Sequence, residues 1–166
     1  MRVRADVFYL IVALILLVSA YFYPTSSHPS FYYSVARVYK VIDGDTVWVT
    51  SLWGYRQGIR FKVRFAGIDA PEISTPEGVR SARELNVLLA GNCVVLAVPR
   101  SDARDRYGRT VALVLLRSGN SWTNVNYILA REGLAKPVDY GIPPEELLAP
   151  SVPVPRSVSD AYFHNC

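Results

Sequence analysis

The hydrophobic rhythm of this chain changes several times, and each change predicts an element. Val7–Tyr23 is apolar without a single charge, which predicts one hydrophobic N-terminal helix. Pro24–Ser30 is polar and bounded by prolines, the start of a linker set at residues 24–33. From Ser34 short β-branched runs take over. Val35–Ile42 and Val47–Thr50 read as strands around the tight turn Asp43-Gly44-Asp45-Thr46, and Gly54 and Gly58 bracket a second turn. Ile59–Phe65 alternates strictly, which sets Ile59, Phe61, Val63 and Phe65 on one face and Arg60, Lys62 and Arg64 on the other. Val94–Val98 and Val111–Leu116 supply a fourth and a fifth strand.

Between the third and fourth strands the period switches to that of a helix. Pro76-Glu77 follows Ser74 or Thr75 as N-cap, Val79, Ala82, Leu85, Leu88 and Leu89 recur at helical spacing, and Gly91 ends the run. A second helix is predicted from Asn124 to Glu132, stopped by Gly133. Beyond Tyr140 prolines dominate and predict an irregular tail, apart from a short turn at Glu145–Leu148. The layout is therefore 1–23 anchor or signal, 24–33 linker, 34–140 domain and 141–166 proline-rich tail. Five strands with a helix after the third is the order of a five-stranded OB-type barrel, an α+β fold that is mainly β, with two or three helices. The same count fits other small barrels.

A chain of 166 residues suffices for one domain with a proper core. The hydrophobic share of 51% and mean hydropathy of +0.16 owe much to the N-terminal segment. The net charge of +4 suits a polyanionic partner without demanding one. Fifteen of the 18 basic side chains are arginine, whose planar fork matches phosphate oxygens; for most of them genomic composition is the favoured explanation.

Arg2 and Arg4 before the apolar run mark a signal peptide or a signal anchor, with the domain on the far side of the membrane. Val18-Ser19-Ala20 offers a cleavage site, whereas the apolar run continues past Ala20 and favours an uncleaved anchor. The expected address is membrane-anchored outside the cytoplasm, or secreted after cleavage. There Cys93 and Cys166 either bridge, pinning the tail to the barrel, or remain a buried thiol and a frayed terminus. No CxxC pair or histidine cluster suggests zinc, and His28 and His164 carry no role.

Three patches carry chemistry. Asp43-Gly44-Asp45 and Asp69-Ala70-Pro71-Glu72 place acids in turns after apolar strands, where carboxylates can converge on a hard cation. Arg64 lies just before the second, and Asp105-Arg106-Tyr107-Gly108-Arg109 adds a guanidinium before another strand. Acids to hold a metal and activate water, with two arginines for a phosphate, make up a phosphodiesterase kit. Each patch alone also fits ordinary turn or surface chemistry.

From about Val35 to Pro137 the chain resembles the staphylococcal nuclease family. The resemblance rests on VIDGDTV (41–47), VRFAGIDAPE (63–72), DRYGR (105–109) and NYILAREGLAK (126–136). It implies an OB-fold barrel and a nuclease that uses one Ca²⁺ against DNA and RNA. Residue by residue, it implies Asp45 and Asp69 as metal ligands, with Ala70 contributing its backbone carbonyl where the type enzyme has threonine. Glu72 matches the candidate general base, and Arg64 and Arg109 the phosphate-contacting arginines. Asp43 matches an outer acid, and Arg106 and Tyr107 match positions touching the nucleotide, with Asp105 in support. Tyr140 is a candidate for base stacking, although its surroundings depart from the family. Past Pro137 the resemblance ends, with no counterpart expected for the family's long final helix.

Two other readings compete with a monomeric nuclease of little sequence preference. One is a catalytically idle OB module that binds nucleic acid and is tethered to the membrane. The other is an anchored scaffold with an idle site.

Overall fold

The computed structural model describes residues 9, 12, 14, 31–100, 104–139, 147 and 149–166. The predicted helix over Val7–Tyr23 lies outside them, apart from Tyr9, Val12 and Leu14, which are helical and exposed. Tyr140 and residues 24–30 also lie outside, as does the turn at Glu145–Leu148 except for Leu147. Among the described residues no helix is long and apolar enough to cross a membrane.

The described chain forms strands β1 (Phe31–Val41), β2 (Thr46–Gly54), β3 (Arg60–Phe65), β4 (Ile68–Asp69), β5 (Cys93–Pro99), β6 (Thr110–Ser118), β7 (Ser121–Asn124) and β8 (Lys136–Pro137). Helix α1 (Pro76–Leu89) stands between β4 and β5, α2 (Val125–Arg131) follows β7, and α3 (Arg156–Asn165) closes the chain. Strands β3, β2, β1, β5 and β6 are neighbours in that order, and a parallel pairing of β3 with β6 closes them into a five-stranded barrel. Strand β7 extends β6, while β4 and β8 pair as a small separate ribbon. The barrel interior buries Val38, Val47, Val49, Phe61, Val63, Phe65, Leu96 and Val114, capped by Leu85, Leu89 and Leu129 from the helices.

The helix boundaries follow the sequence closely. Thr75 caps α1 through its side chain to Gly78 N–H at 3.0 Å, and Pro76 opens it. Asn124 caps α2 by accepting from Asn126 N–H at 3.1 Å, and Gly133 follows with φ +67°. Asn126 then reaches into the barrel seam. Its amide donates to Ala66 carbonyl at 2.7 Å and Ala112 carbonyl at 3.3 Å, and its oxygen accepts from Val114 N–H at 3.0 Å.

Four expectations are corrected. Strand β1 begins at Phe31, inside the predicted 24–33 linker, because Phe31–Arg37 pairs residue for residue with Cys93–Pro99 and the partner's length sets the start. Ile59 is 48% exposed and precedes β3, its N–H donating back to the Arg56 carbonyl of the turn while its carbonyl accepts from Ser51 N–H of β2. Val79 is 54% exposed, and the buried stripe of α1 is Gly78, Ser81, Leu85 and Leu89. The tail is not irregular throughout, since α3 occupies ten of its residues. Strands β5 and β6 are buried on both faces, so their second face needs a cover. Val158 and Ala161 of α3 provide it, packing with Val35, Val95, Ala97 and Leu115, and a Cys93–Cys166 disulfide ties the end of the helix to β5.

Candidate active site

Where β3 and β6 run parallel, Arg64 stands beside Val111, so the β3 exit and the β6 entry open onto one cleft of about 650 Å³. The turn between β1 and β2 supplies Asp43 and Asp45; the segment after β3 supplies Asp69, Ala70 and Glu72; the loop before β6 supplies Asp105, Arg106, Tyr107 and Arg109. Every residue selected from the sequence except Tyr140, which lies outside the described residues, therefore lines the same cleft. Arg104, which sequence reasoning passed over, joins them.

Arg64 sits at the acidic end and is almost fully buried, although the alternation had placed it on a solvated face. Its guanidinium meets Asp45 Oδ2 at 2.7 Å and Asp69 Oδ1 at 2.6 Å. Asp45 is buried as well, and accepts from Ala70 N–H at 2.6 Å and Thr46 Oγ1 at 3.0 Å. Burial pushes the Asp45 carboxyl up to about 6; the Arg64 charge and the Ala70 N–H oppose that rise, and the neighbouring Asp43 charge adds to it. Asp43 Oδ1 in turn accepts from Asp45 N–H at 3.0 Å, which folds the turn over its own acid. The Asp69 side chain, by contrast, is 64% exposed and faces the cleft mouth.

This donor set can be tested against a metal. The Asp45 and Asp69 carboxylates, with the Ala70 carbonyl that the resemblance adds, offer oxygen alone, which suits a hard cation such as Ca²⁺ and not zinc. Asp45 is a buried carboxylate that one guanidinium does not return to its ordinary range, so additional positive charge beside it is electrostatically welcome. No cluster of three or more His, Cys, Asp or Glu side chains able to hold a metal occurs among the described residues. A cation here would complete its shell with water or substrate oxygens. The residues fit on those terms.

The opposite wall is organised by Asp105. Its Oδ1 accepts from the N–H groups of Tyr107 and Arg109, each at 2.9 Å, and its Oδ2 takes Arg109 Nε at 2.6 Å. Burial works to raise the Asp105 carboxyl, but the hydrogen bonds and charge of Arg109 together outweigh it and hold the group below its ordinary range. Arg109 is thereby aimed with Nη1 3.4 Å from Thr46 Oγ1, the hydroxyl that also donates to Asp45. The two guanidinia thus flank one buried carboxylate. Tyr107 is 68% exposed, with the Arg106 and Arg109 guanidinia 4.8 and 5.3 Å from its ring centroid.

Helix α1 positions both acid-bearing loops through small residues. A Cβ on Gly44 would collide with Ser81 Oγ and lie 2.7 Å from Ala70 Cβ. A Cβ on Gly78 would strike the Glu72 carbonyl and lie 2.7 Å from the Pro71 carbonyl oxygen. Glu72 is further held by its carbonyl, which accepts from Thr75 N–H at 2.9 Å and Thr75 Oγ1 at 2.8 Å. Its carboxylate is exposed and has no partner among the described residues. Gly44, Gly78 and Ser81 were missed by sequence reasoning. A glycine in the first turn of an otherwise ordinary helix is the one signal that pointed to close approach.

Known proteins match the stretch that holds three of the four motifs, those from Val63 onward, while VIDGDTV (41–47) precedes the family match. The family described as Staphylococcal nuclease homologue matches residues 62–147. A micrococcal nuclease of Shigella flexneri is 38% identical over 104 residues, covering 60% of this chain and 55% of its own. An uncharacterized endonuclease of Haemophilus influenzae is 37% identical over 102 residues, covering 61% and 51%. An endonuclease of Bacillus subtilis is 32% identical over 108 residues, covering 58% of this chain and 8% of its own. The match spans about half the length of the first two relatives.

Proposed function

This chain belongs to the staphylococcal nuclease homologue family, and from that premise we propose that it is a Ca²⁺-dependent nuclease that hydrolyses phosphodiester bonds of DNA or RNA outside the cytoplasm. The observation that carries the reading is the flanking of Asp45 by Arg64 and Arg109 in one cleft. Asp45, Asp69 and the Ala70 carbonyl would hold the cation. When bound, Ca²⁺ supplies Lewis-acid stabilisation of charge on the phosphoryl oxygens.

The protein's own residues perform the rest. Glu72 orients the attacking water and takes its proton as the new oxygen–phosphorus bond forms. Arg64 and Arg109 donate to the phosphoryl oxygens as negative charge grows, and Arg109 stands beside the oxygen that departs with the broken bond. Asp105 keeps Arg109 in that orientation. Arg106 and Tyr107 at the rim hold the neighbouring nucleotide. The Cys93–Cys166 bridge and the apolar segment over Val7–Tyr23 support an oxidising, extracytoplasmic address.

A specific observation favours the second reading, a non-catalytic nucleic-acid-binding barrel: Arg64 already occupies one oxygen of each acid, where a cation would bind. Incubation with plasmid and single-stranded DNA in Ca²⁺, with EDTA controls, separates the two. Cutting that needs Ca²⁺ and falls about 10²–10⁴-fold in Glu72→Gln supports the nuclease. Salt-dependent binding without cutting under any divalent ion supports the second reading, and a fully active Glu72→Gln variant removes Glu72 from the mechanism.

A further inference from the structure

The outward face of β1, β2 and β3 carries a pattern that the cleft chemistry does not use. In the β2–β3 register Val47 faces Val63 and Val49 faces Phe61 inside the barrel, so Thr46–Arg64, Trp48–Lys62 and Thr50–Arg60 are the outward pairs. Strand β1 adds Lys40 opposite Trp48 and Arg37 opposite Thr50. A register shift between Val38 and Lys40 turns Tyr39 onto the same face, where its ring lies 6.1 Å from that of Trp48. Arg60 stacks 4.2 Å from the Tyr39 centroid, and Lys62 lies 5.4 Å from that of Trp48. Arg37, Tyr39, Lys40, Arg60 and Lys62 are exposed and Trp48 is half-buried. The three strands contain no aspartate or glutamate.

An ordinary solvated face mixes both signs of charge and carries few large aromatics. This face does neither, and its first row, the buried pair Thr46–Arg64, meets the cleft at Arg64. We infer that the outward face of β1–β3 is a track along which a single-stranded polynucleotide runs to or from the cleft, with phosphates on Lys40, Arg60 and Lys62 and bases on Trp48 and Tyr39. The identity of the strand rests on the nucleic-acid reading of the cleft; the track itself does not require turnover. Successive rows are two residues apart, so the three rows span about 13 Å, room for about two to four nucleotides. The combination selects unpaired strands. Cations serve any backbone, but ring platforms are useful only when bases are unstacked and free to lie on them. The cation–ring contacts also hold long side chains down on the sheet before binding, which lowers the ordering cost.

The test measures binding without cutting. Fluorescently labelled oligothymidylates of twelve and three residues are titrated with the full chain in EDTA, at several salt concentrations. Trp48→Ala is expected to weaken the longer strand about tenfold, the loss of one stacking platform. Arg60→Ser with Lys62→Ser is expected to flatten the salt slope by about 1.4. In both variants the preference for the longer strand collapses while the melting temperature holds, a combination that simple surface damage does not produce. Equal weakening of both lengths, an unchanged salt slope, or tighter binding of duplex than of single strand overturns the track. Variants that bind the longer strand normally but lose affinity for phosphatidylglycerol vesicles assign the face to a membrane and also overturn it. Parallel cutting assays keep the readings distinct: a protein that binds through this face yet cuts nothing retains the track and loses the nuclease.

Discussion

The Arg64 guanidinium lies 2.7 Å from the Asp45 carboxylate, with both side chains more than nine-tenths buried. Burial nevertheless wins over that pairing, and the Asp45 carboxyl stands at about 6 instead of 3.8. A native value above the unfolded one means that the folded protein holds the proton more tightly. Asp45 therefore contributes stability that is complete below pH 3.8 and is lost as pH rises through about 6. In EDTA, the melting temperature of Asp45→Asn should gain on the wild type between those values and run parallel above them. A difference that is flat across the window would refute the assignment.

Arg109 acts through geometry as well as charge, since Asp105 fixes its Nε and its backbone N–H together. Lysine keeps the charge but loses the fork. Steady-state cutting of a defined oligonucleotide by Arg109→Lys should fall about 10²–10³-fold, with melting temperature nearly unchanged.

Gly78 sets two effects against each other. Helix propensity alone predicts that Gly78→Ala gains about 1 kcal/mol. The added Cβ, however, meets the backbone of Pro71 and Glu72, which cannot swing away as a side-chain tip would. Overpacking of this kind costs about 1–3 kcal/mol, so denaturant unfolding should show a net loss. Cutting should fall further than stability, because Glu72 is displaced.

Asn126 satisfies two carbonyls and one N–H at the seam between the Ala66 turn and β6, all of them out of reach of water. Asn126→Ala strands the Ala66 carbonyl and the Val114 N–H, while the Ala112 carbonyl keeps the Ala66 N–H, and should cost about 3 kcal/mol by urea unfolding. A loss below about 1 kcal/mol would mean that the seam holds without it.

The disulfide closes a separation of 73 residues. Its loss should cost about 2–4 kcal/mol. Hydrogen exchange of a Cys93→Ser, Cys166→Ser variant should show α3 losing protection first, while the barrel strands keep theirs, because α3 contributes few buried residues of its own.

Elements with a strong local period were legible. Thr75, Pro76 and Gly91 framed α1 within a residue or two, and Asn124 and Gly133 framed α2, because caps are decided by a side chain and its nearest backbone. Helix α3 was not legible. Its mean composition is polar and prolines precede it, so its helix depends on a surface that only the folded β5–β6 sheet presents. The apolar runs of Val94–Val98 and Val111–Leu116 did carry the complementary hint, since a strand without alternation is covered on both sides. The track on β1–β3 was half visible. Alternation put Arg60 and Lys62 on one face, but the aromatics facing them depend on cross-strand register.

What the chain determined by itself is which chemistry is on offer: oxygen acids in turns, arginines beside strands, and the order of elements that carries them. These follow from residue type and short-range spacing, which survive any packing. Tertiary structure decided how that chemistry is arranged. The parallel closure of β3 against β6 set Arg64 and Arg109 around Asp45, although 45 and 109 are far apart in sequence. The same closure buried Arg64 between two carboxylates, where alternation alone would have left it in solvent. Burial and convergence are properties of surfaces meeting, and no local period encodes them.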